Sequence, residues 1–198
     1  MNLAVLAANK KQNRKRIDFA NLFFVIAVLF ILSRIFFWGT YKVEGHSMDP
    51  TLKGGNHLVA INYFTPERGD LVTAKEDDRV IIKRVIGLPG ETVKFVDNQT
   101  YICNEEVEES TVKAKNGNSC FKLDESYLKL GAETIPQEWW DEFEIKGWYF
   151  AMGDNRGHTT DSLHCFSHQC YRGANYVVPN NYMIGRVMFR VFPKAQMF

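Results

Sequence analysis

Residues 10–38 read KKQNRKRIDFANLFFVIAVLFILSRIFFW, a basic cluster that runs straight into an apolar span. No other feature restricts the fold of this chain as much. Leu22 to Leu32 contains no polar side chain. Phe19 to Trp38 is 20 residues, which as a helix covers roughly 30 Å, one hydrocarbon thickness of a bilayer. Arg34 interrupts the span near its far end, where a long side chain reaches the interface. Trp38 and Tyr41 suit an interfacial aromatic belt. A cleaved leader would also start basic and turn apolar, but it needs a small-x-small site. SRIFFWGTYK is bulky at those places. A buried helix of a soluble protein is the other competing reading. The reading adopted is an uncleaved, single-pass anchor over 19–38, with 1–18 as a cytoplasmic basic segment and everything after Tyr41 on the outer side. A lipid bilayer is therefore an expected partner.

Charge supports that division. The chain carries a net +1, yet residues 1–40 hold six Lys or Arg against the single acid Asp18, and the remainder holds 18 basic against 22 acidic residues. A nucleic-acid binder shows a basic face in its folded part, and this one does not. No nucleic-acid partner is expected. The 198 residues suffice for one domain with a sizeable insertion.

Four cysteines, Cys103, Cys120, Cys165 and Cys170, are an even count in a segment read as exported, which favours disulfides. Their order suggests Cys103–Cys120 and Cys165–Cys170, although four cysteines allow three pairings. The stretch HTTDSLHCFSHQC also gathers zinc-type ligands in His158, His164, Cys165, His168 and Cys170. Its spacing matches no closed zinc pattern, and an oxidising compartment favours the disulfide. No metal and no cofactor are expected.

Beyond Tyr41 the signals are mostly β. HLVAINYF, DLVTAKE, RVIIKRVIGL, ETVKFVDN and TYICNEEV are short, rich in Val, Ile, Tyr and Phe, and separated by turn residues such as TPERGD and GLPGE. VDNQTY reads as a hairpin tip. Strand signals return in GWYFAMGDN and YMIGRVMFRVF. Residues 105–147 are more polar, with IPQEWWDEFE as a short helix, and read as an inserted subdomain. The expected fold is a mostly-β domain over 41–104 and 148–198, with that insertion, tethered by one helix.

Ser47, in VEGHSMDPTL, is the candidate nucleophile, and a serine hydroxyl needs a base. His46 is its neighbour and on extended backbone points the other way. His57 and His158 remain possible bases. Lysine is the other option, provided it is neutral. A model lysine titrates near ~10.4, so a base for neutral pH needs a downward shift of about 2–3 units. Burial in apolar surroundings supplies such a shift. Lys83 in RVIIKRVIGLPG has that setting, with Arg84 expected on the opposite face. A strand bearing two solvated cations is the competing reading.

GHSMDPTL, RGDLVTA, IIKRVIGLPGE and AMGDNRGHTTDS follow in that order. Together they resemble the successive boxes of the type I signal peptidases, or bacterial leader peptidases, membrane-bound Ser/Lys proteases of family S26. The resemblance covers most of the chain after the anchor, and is looser over 105–147 and after Ser162. It implies Ser47 as nucleophile, with its backbone N–H donating to the oxyanion, and Lys83 as general base. Thr159 stands where the family usually has a serine that orients the lysine amine, and Ser162 supports it. Asp161 matches the family's aspartate and would pair with Arg84. Gly153, Asp154, Asn155 and Arg156 match the loop that holds the last box. Tyr41, Val43, Met48, Leu52, Ile81 and Ile82 match the lining of shallow pockets that take small residues, an Ala-x-Ala pattern. The same six also fit ordinary core strand positions. The implied substrates are preprotein signal peptides, the implied site of action is the outer face of a bacterial cytoplasmic membrane, and the implied working state is a monomer.

Three departures from the family pattern stand out. Gly45 replaces the hydroxyl that some members use as a second oxyanion donor. Leu163 stands where many members have arginine. The segment after it is longer than usual. A dedicated processing peptidase, for a pilin or conjugation protein, fits the same boxes. A catalytically silent, membrane-anchored binding domain is the alternative of another class, and the presence of both Ser47 and Lys83 argues against it.

Overall fold

The computed structural model describes residues 3–76, 78–126, 142–145, 147–162 and 178–198. Two units emerge, Met1–Gly39 and Thr40–Phe198. The first is a single helix, α1 (Leu3–Phe36), followed by the start of β1. Its side chains are described from Phe19, and apolar residues on every face of the helix are exposed. Among the described residues no helical stretch is long and apolar enough to cross a membrane.

The second unit is built on two sheets. The strands are β1 (Trp38–Lys42), β2 (His57–Ile61), β3 (Leu71–Glu76), β4 (Arg79–Gly87), β5 (Thr92–Val96), β6 (Gln99–Cys103), β7 (Cys120–Lys122), β8 (Glu142–Glu144), β9 (Phe150–Met152), β10 (Met183–Phe192) and β11 (Gln196–Met197). The larger sheet runs β1-β2-β10-β3-β4-β9, with β11 also on β10. The smaller runs β7-β6-β5-β8. The chain is mostly β, as its alternating Val, Ile and aromatic runs predict. The tip of VDNQTY is a two-residue turn in which Asp97 and Asn98 both take positive φ, 50° and 58°. That geometry matches the twist of β5 and β6, which pair antiparallel from Val96 opposite Gln99.

The smaller sheet draws β5 and β6 from before residue 105 and adds β7 and β8 from after it. Most of IPQEWWDEFE lies outside the described residues. Its last part is not helical as expected: Glu142–Glu144 forms β8 and pairs with β5. Phe143 turns inward there and joins Ile86, Val93, Phe95, Ile102, Ile145, Phe150 and Met152 in one core. Tertiary burial of Phe143 in an E-F-E alternation overrode the helical reading over these three residues. A second core of Val43, Met48, Leu52, Leu58, Ala60, Leu71 and Val187 lies under the larger sheet.

β4 passes from one environment to the other. Arg79 and Val80 are exposed, Ile81 and Ile82 half-buried, and every residue from Lys83 to Gly87 is buried. Arg84 is therefore buried as well as Lys83, which sets aside the competing reading of a strand with two solvated cations. At the buried end a Cβ on Gly87 would sit 2.2 Å from Ile145 Cδ1 and 2.6 Å from Val93 Cγ2, so the glycine lets these side chains pack closely on β4.

The expected Cys103–Cys120 disulfide is present, joining β6 to β7 where the two residues pair directly. Cys165, Cys170, His164, His168 and Leu163 lie outside the described residues.

Candidate active site

A groove of about 540 Å³ runs between the loop after β1 and the exposed half of β4. Ser47 and Lys83 both line it. Ser47 sits in a loop whose backbone is held by the loop after β9. Asn155 N–H donates to Ser47 O at 3.0 Å, and Asn155 Nδ2 donates to His46 O at 3.1 Å. The loop after β9 thus fixes the serine without touching its hydroxyl. Gly153 makes this possible. A Cβ there would lie 2.4 Å from Ser47 O and 2.3 Å from Thr159 Oγ1.

Lys83 lies opposite Val72 on β3 and is 4 % exposed. Its Nζ donates to Thr159 Oγ1 at 3.1 Å. Burial pushes its pKa below the ordinary lysine value, the Asp161, Glu76 and Asp154 carboxylates pull it back up, and Arg79 adds a smaller downward push. Burial is the largest of these effects, so the amine is displaced toward its neutral form. A cation on a solvated strand would not be.

The surrounding polar groups are satisfied locally. Asp161, itself buried, accepts the Gly153 N–H at 2.7 Å. Arg84 does not take Asp161 as its bidentate partner. Its Nε and Nη2 donate to the two oxygens of Asp154 at 2.9 and 2.6 Å, and Nη1 donates to Gly69 O. The register explains the choice, because Arg84 lies opposite Met152, two residues before Asp154. Ser162 Oγ accepts the Ala151 N–H at 3.0 Å, which braces β9 rather than the lysine amine. Arg156, 2 % exposed, reaches out of the loop to Glu125 at 2.5 Å.

Of the residues proposed to contact substrate, Tyr41, Val43, Met48, Ile81 and Ile82 line the groove together with Ser47. Val43 and Met48 are almost fully buried, and Tyr41, Ile81 and Ile82 half-buried, which makes an apolar and shallow wall. Leu52 does not belong with them. It is 0 % exposed, packed in the core under the larger sheet. A groove-facing apolar residue and a core-facing one look alike in sequence. His57 stacks its ring edge-to-face on Phe192 and does not line the groove. His158 does, at the rim. Glu76, Arg79, Val80 and Thr160 also line it. Glu76 and Arg79 face each other across the β3–β4 hairpin and form an ion pair, with Arg79 Nε 2.8 Å from Glu76 Oε2. The neighbouring strand signals DLVTAKE and RVIIKRVIGL could have pointed to a hairpin with this pair at its end, but not to its place on the groove. Among the described residues no group of three or more His, Cys, Asp or Glu is placed to hold a metal.

Comparison with known proteins identifies the family of the chain. The family model "Signal peptidase, peptidase S26" matches residues 16–192. A signal peptidase I of Streptococcus pneumoniae is 36 % identical over 166 residues, covering 72 % of this chain and 81 % of that protein. Signal peptidase I V of Bacillus subtilis is 41 % identical over 134 residues, covering 63 % of this chain and 74 % of that one. A solved signal peptidase I from Enterococcus faecalis is 28 % identical and aligns with a TM-score of 0.34, over 62 % of this chain and 97 % of the other. With a matching family model over nearly its whole length and relatives this similar, the chain belongs to the signal peptidase family, peptidase S26.

Proposed function

We propose that Ser47 and Lys83 carry the reaction of a serine endopeptidase that removes signal peptides from preproteins. Family membership supports the reaction. The observation that supports the residues is a buried lysine with a depressed pKa lining the same groove as a serine. In this scheme Ser47 Oγ attacks the carbonyl before the scissile bond and neutral Lys83 takes its proton. The Ser47 N–H donates to the resulting oxyanion, a contribution of about 3–4 kcal/mol for a donor of this kind. Lys83 then protonates the leaving amine. A water, deprotonated by Lys83, attacks the acyl-enzyme and frees the serine. Thr159 orients the amine throughout, Asp161 and Arg84 brace the loops on either side, and Ser162 steadies β9. Gly45 offers no hydroxyl, so no side-chain donor comes from that position. The half-buried wall of Tyr41, Ile81 and Ile82 over Val43 and Met48 takes alanine-sized side chains on either side of a less restricted one.

The same reading has α1 from Phe19 to Phe36 as a membrane anchor with the catalytic unit on the outer side, and it stops short of the expected residue 38 because Trp38 already belongs to β1. A helix apolar on all faces is stable in bilayer or in a protein core, and α1 exposes Phe19 to Leu32 almost continuously. Arg34 suits the interface. It donates to Trp38 O at 2.7 Å and lies 5.0 Å over the Trp38 ring.

Cleavage of an Ala-x-Ala preprotein by the detergent-solubilised full chain tests the reading. Cleavage after the second alanine should vanish in Ser47→Ala. It should also vanish in Lys83→Arg, because guanidinium keeps its proton. An active Lys83→Arg enzyme refutes the lysine's role.

A further inference from the structure

Two charged residues of the catalytic groove, Glu76 and Arg79, bond to each other and leave polar atoms open. They are the last paired residues of β3 and β4, and both line the groove that holds Ser47 and Lys83. Arg79 Nε donates to Glu76 Oε2 at 2.8 Å, and Arg79 Nη2 donates to the same oxygen. Among the described residues, Glu76 Oε1 and Arg79 Nη1 have no hydrogen-bond partner. The Arg79 side chain is 70 % exposed and that of Glu76 27 %. The groove thus carries an open acceptor beside an open donor.

Position along β4 decides what this pair can meet. Arg79, Ile81 and Lys83 hold alternate positions and share one face of the strand. β9 pairs with β4 only from Arg84 onward, so among the described residues the edge from Arg79 to Lys83 is open on that side. Ile81 and Ile82, part of the wall proposed to take the two alanines, lie between Lys83 and Arg79. The substrate ahead of the cut therefore runs from Lys83 toward Arg79. An extended chain advances by the same ~3.3 Å per residue as the strand beside it. Arg79 is four residues from Lys83, roughly 13 Å at that rise. It meets the side chain four residues ahead of the last alanine, the fifth before the cut, or P5.

We propose that Glu76 and Arg79 form a polar subsite for the P5 side chain of the substrate, which selects a carboxamide and rejects a large apolar group. The proposal rests on the catalytic reading of the groove. Asparagine and glutamine carry an NH₂ donor and a carbonyl acceptor, which complement Glu76 Oε1 and Arg79 Nη1. A leucine there strips water from both groups and returns no bond. Charge alone selects weakly. Lys75 to Arg79 hold three acids against two bases, and Lys42 and Glu44, from β1 and the loop after it, add one charge of each sign to the lining. Asp78 is exposed in the turn and does not line the groove, and Asp77 lies outside the described residues. The pair thereby marks where the apolar stretch of a signal peptide must already have ended.

The test uses the full chain in detergent and Ala-x-Ala preproteins that differ only at P5, glutamine against leucine. kcat/KM is measured for both at the pH plateau of each enzyme. The wild type should prefer glutamine by about fivefold or more, and Glu76→Leu/Arg79→Leu should bring the ratio within about twofold. Arg79→Leu alone changes the more exposed partner; it should also lower the ratio, and it covers the case in which the double variant misfolds. The same swap at P6, whose side chain points to the other face, should give one ratio in all three enzymes. Each ratio compares two substrates on one enzyme, so a change in basal rate cancels. A wild-type P5 ratio within about twofold, a P5 ratio equal in wild type and both variants, or a P6 ratio that changes as much as the P5 ratio overturns the subsite and leaves the catalytic reading standing. Failure of the wild type to cut either preprotein overturns the catalytic reading, and the subsite falls with it.

Discussion

Gly153→Ala is the most exacting test of how the site is held. A Cβ at this position lies 2.3 Å from Thr159 Oγ1, 2.4 Å from Ser47 O and 2.6 Å from Thr159 Cβ. Ordinary contacts begin near about 3.5 Å, so the methyl needs about 1 Å of clearance from two sides at once. Neither neighbour is the free end of a flexible chain. One is the backbone carbonyl of the proposed nucleophile, tied to Asn155 N–H. The other holds the Lys83 amine. Overpacking of a tight site costs about 1–3 kcal/mol, which for a chain of this size lowers Tm by roughly 2–4 °C per kcal/mol. The effect on catalysis is larger, because a displacement of about 1 Å between reacting groups costs about 10²-fold. The loss should fall on kcat, since the pocket wall of Tyr41, Ile81 and Ile82 is not touched. Cleavage kinetics on an Ala-x-Ala reporter and a thermal melt, measured on the same preparation, read both quantities. A folded Gly153→Ala enzyme whose kcat stays within about threefold of wild type would refute the view that the loop after β9 positions Ser47 and Thr159.

Four further outcomes are expected. Thr159→Val removes the oxygen bonded to Lys83 while keeping the shape, and should cost about tenfold or more in kcat with little change in KM, whereas Thr159→Ser should retain activity; equal activity of Val and Ser removes the orienting role. Glu76 raises the Lys83 pKa and Arg79 lowers it. Activity that needs the neutral amine rises with pH through that pKa, so Glu76→Gln should move the acid limb of kcat/KM to lower pH and Arg79→Gln to higher pH; shifts of the same sign would contradict the arrangement. Because burial lowers the lysine's folded pKa, the unfolded chain binds the extra proton more readily and the native state loses stability below its unfolded pKa; Lys83→Met should therefore be inactive yet melt higher at neutral pH, the gain fading toward alkaline pH, and a lower melting temperature would count against the buried-amine reading. Opening the Cys103–Cys120 bridge, across a separation of 17 residues, should cost about 3 kcal/mol by chain entropy, checked by melting Cys103→Ser/Cys120→Ser against the parent.

The site was legible where chemistry and strand periodicity coincide in one short run. Ser47 and Lys83 stand out because a nucleophile needs a base and a lysine base needs an apolar strand around it. Thr159 and the loop from Gly153 to Arg156 follow from the resemblance, not from spacing. What sequence could not supply was which of two chemically equal residues a fold would choose. Asp154 and Asp161 lie in one box, and only the register of β4 on β9 decides that Arg84 takes the nearer one. Leu52 and Met48 are both apolar, both follow the serine and both join one core, yet only Met48 also lines the groove. Glu76 and Arg79 carry no signal of their own in the sequence, and only the structure brings them to the lining of the groove.

β4 joins these particulars. Its first half is open, as a strand bordering a substrate groove must be, and its second half is buried, as a strand lowering a lysine pKa must be. One sheet facing solvent on one side cannot give both. The smaller sheet supplies the second cover: β5, β6 and β8 pack Val93, Phe95, Ile102 and Phe143 against Ile86 and Phe150. The same core fixes β9, whose exit carries Gly153, and through it the loop bonded to Ser47. Arg156 ties that loop to Glu125, just past β7, from the other direction. Phe143, Ile145 and Glu125, all from the segment that looks like an insertion in sequence, thus help to hold the exit of β9, and with it Thr159, in place beside the lysine. Loss of its packing should be felt first as loss of the neutral amine and only later as loss of fold.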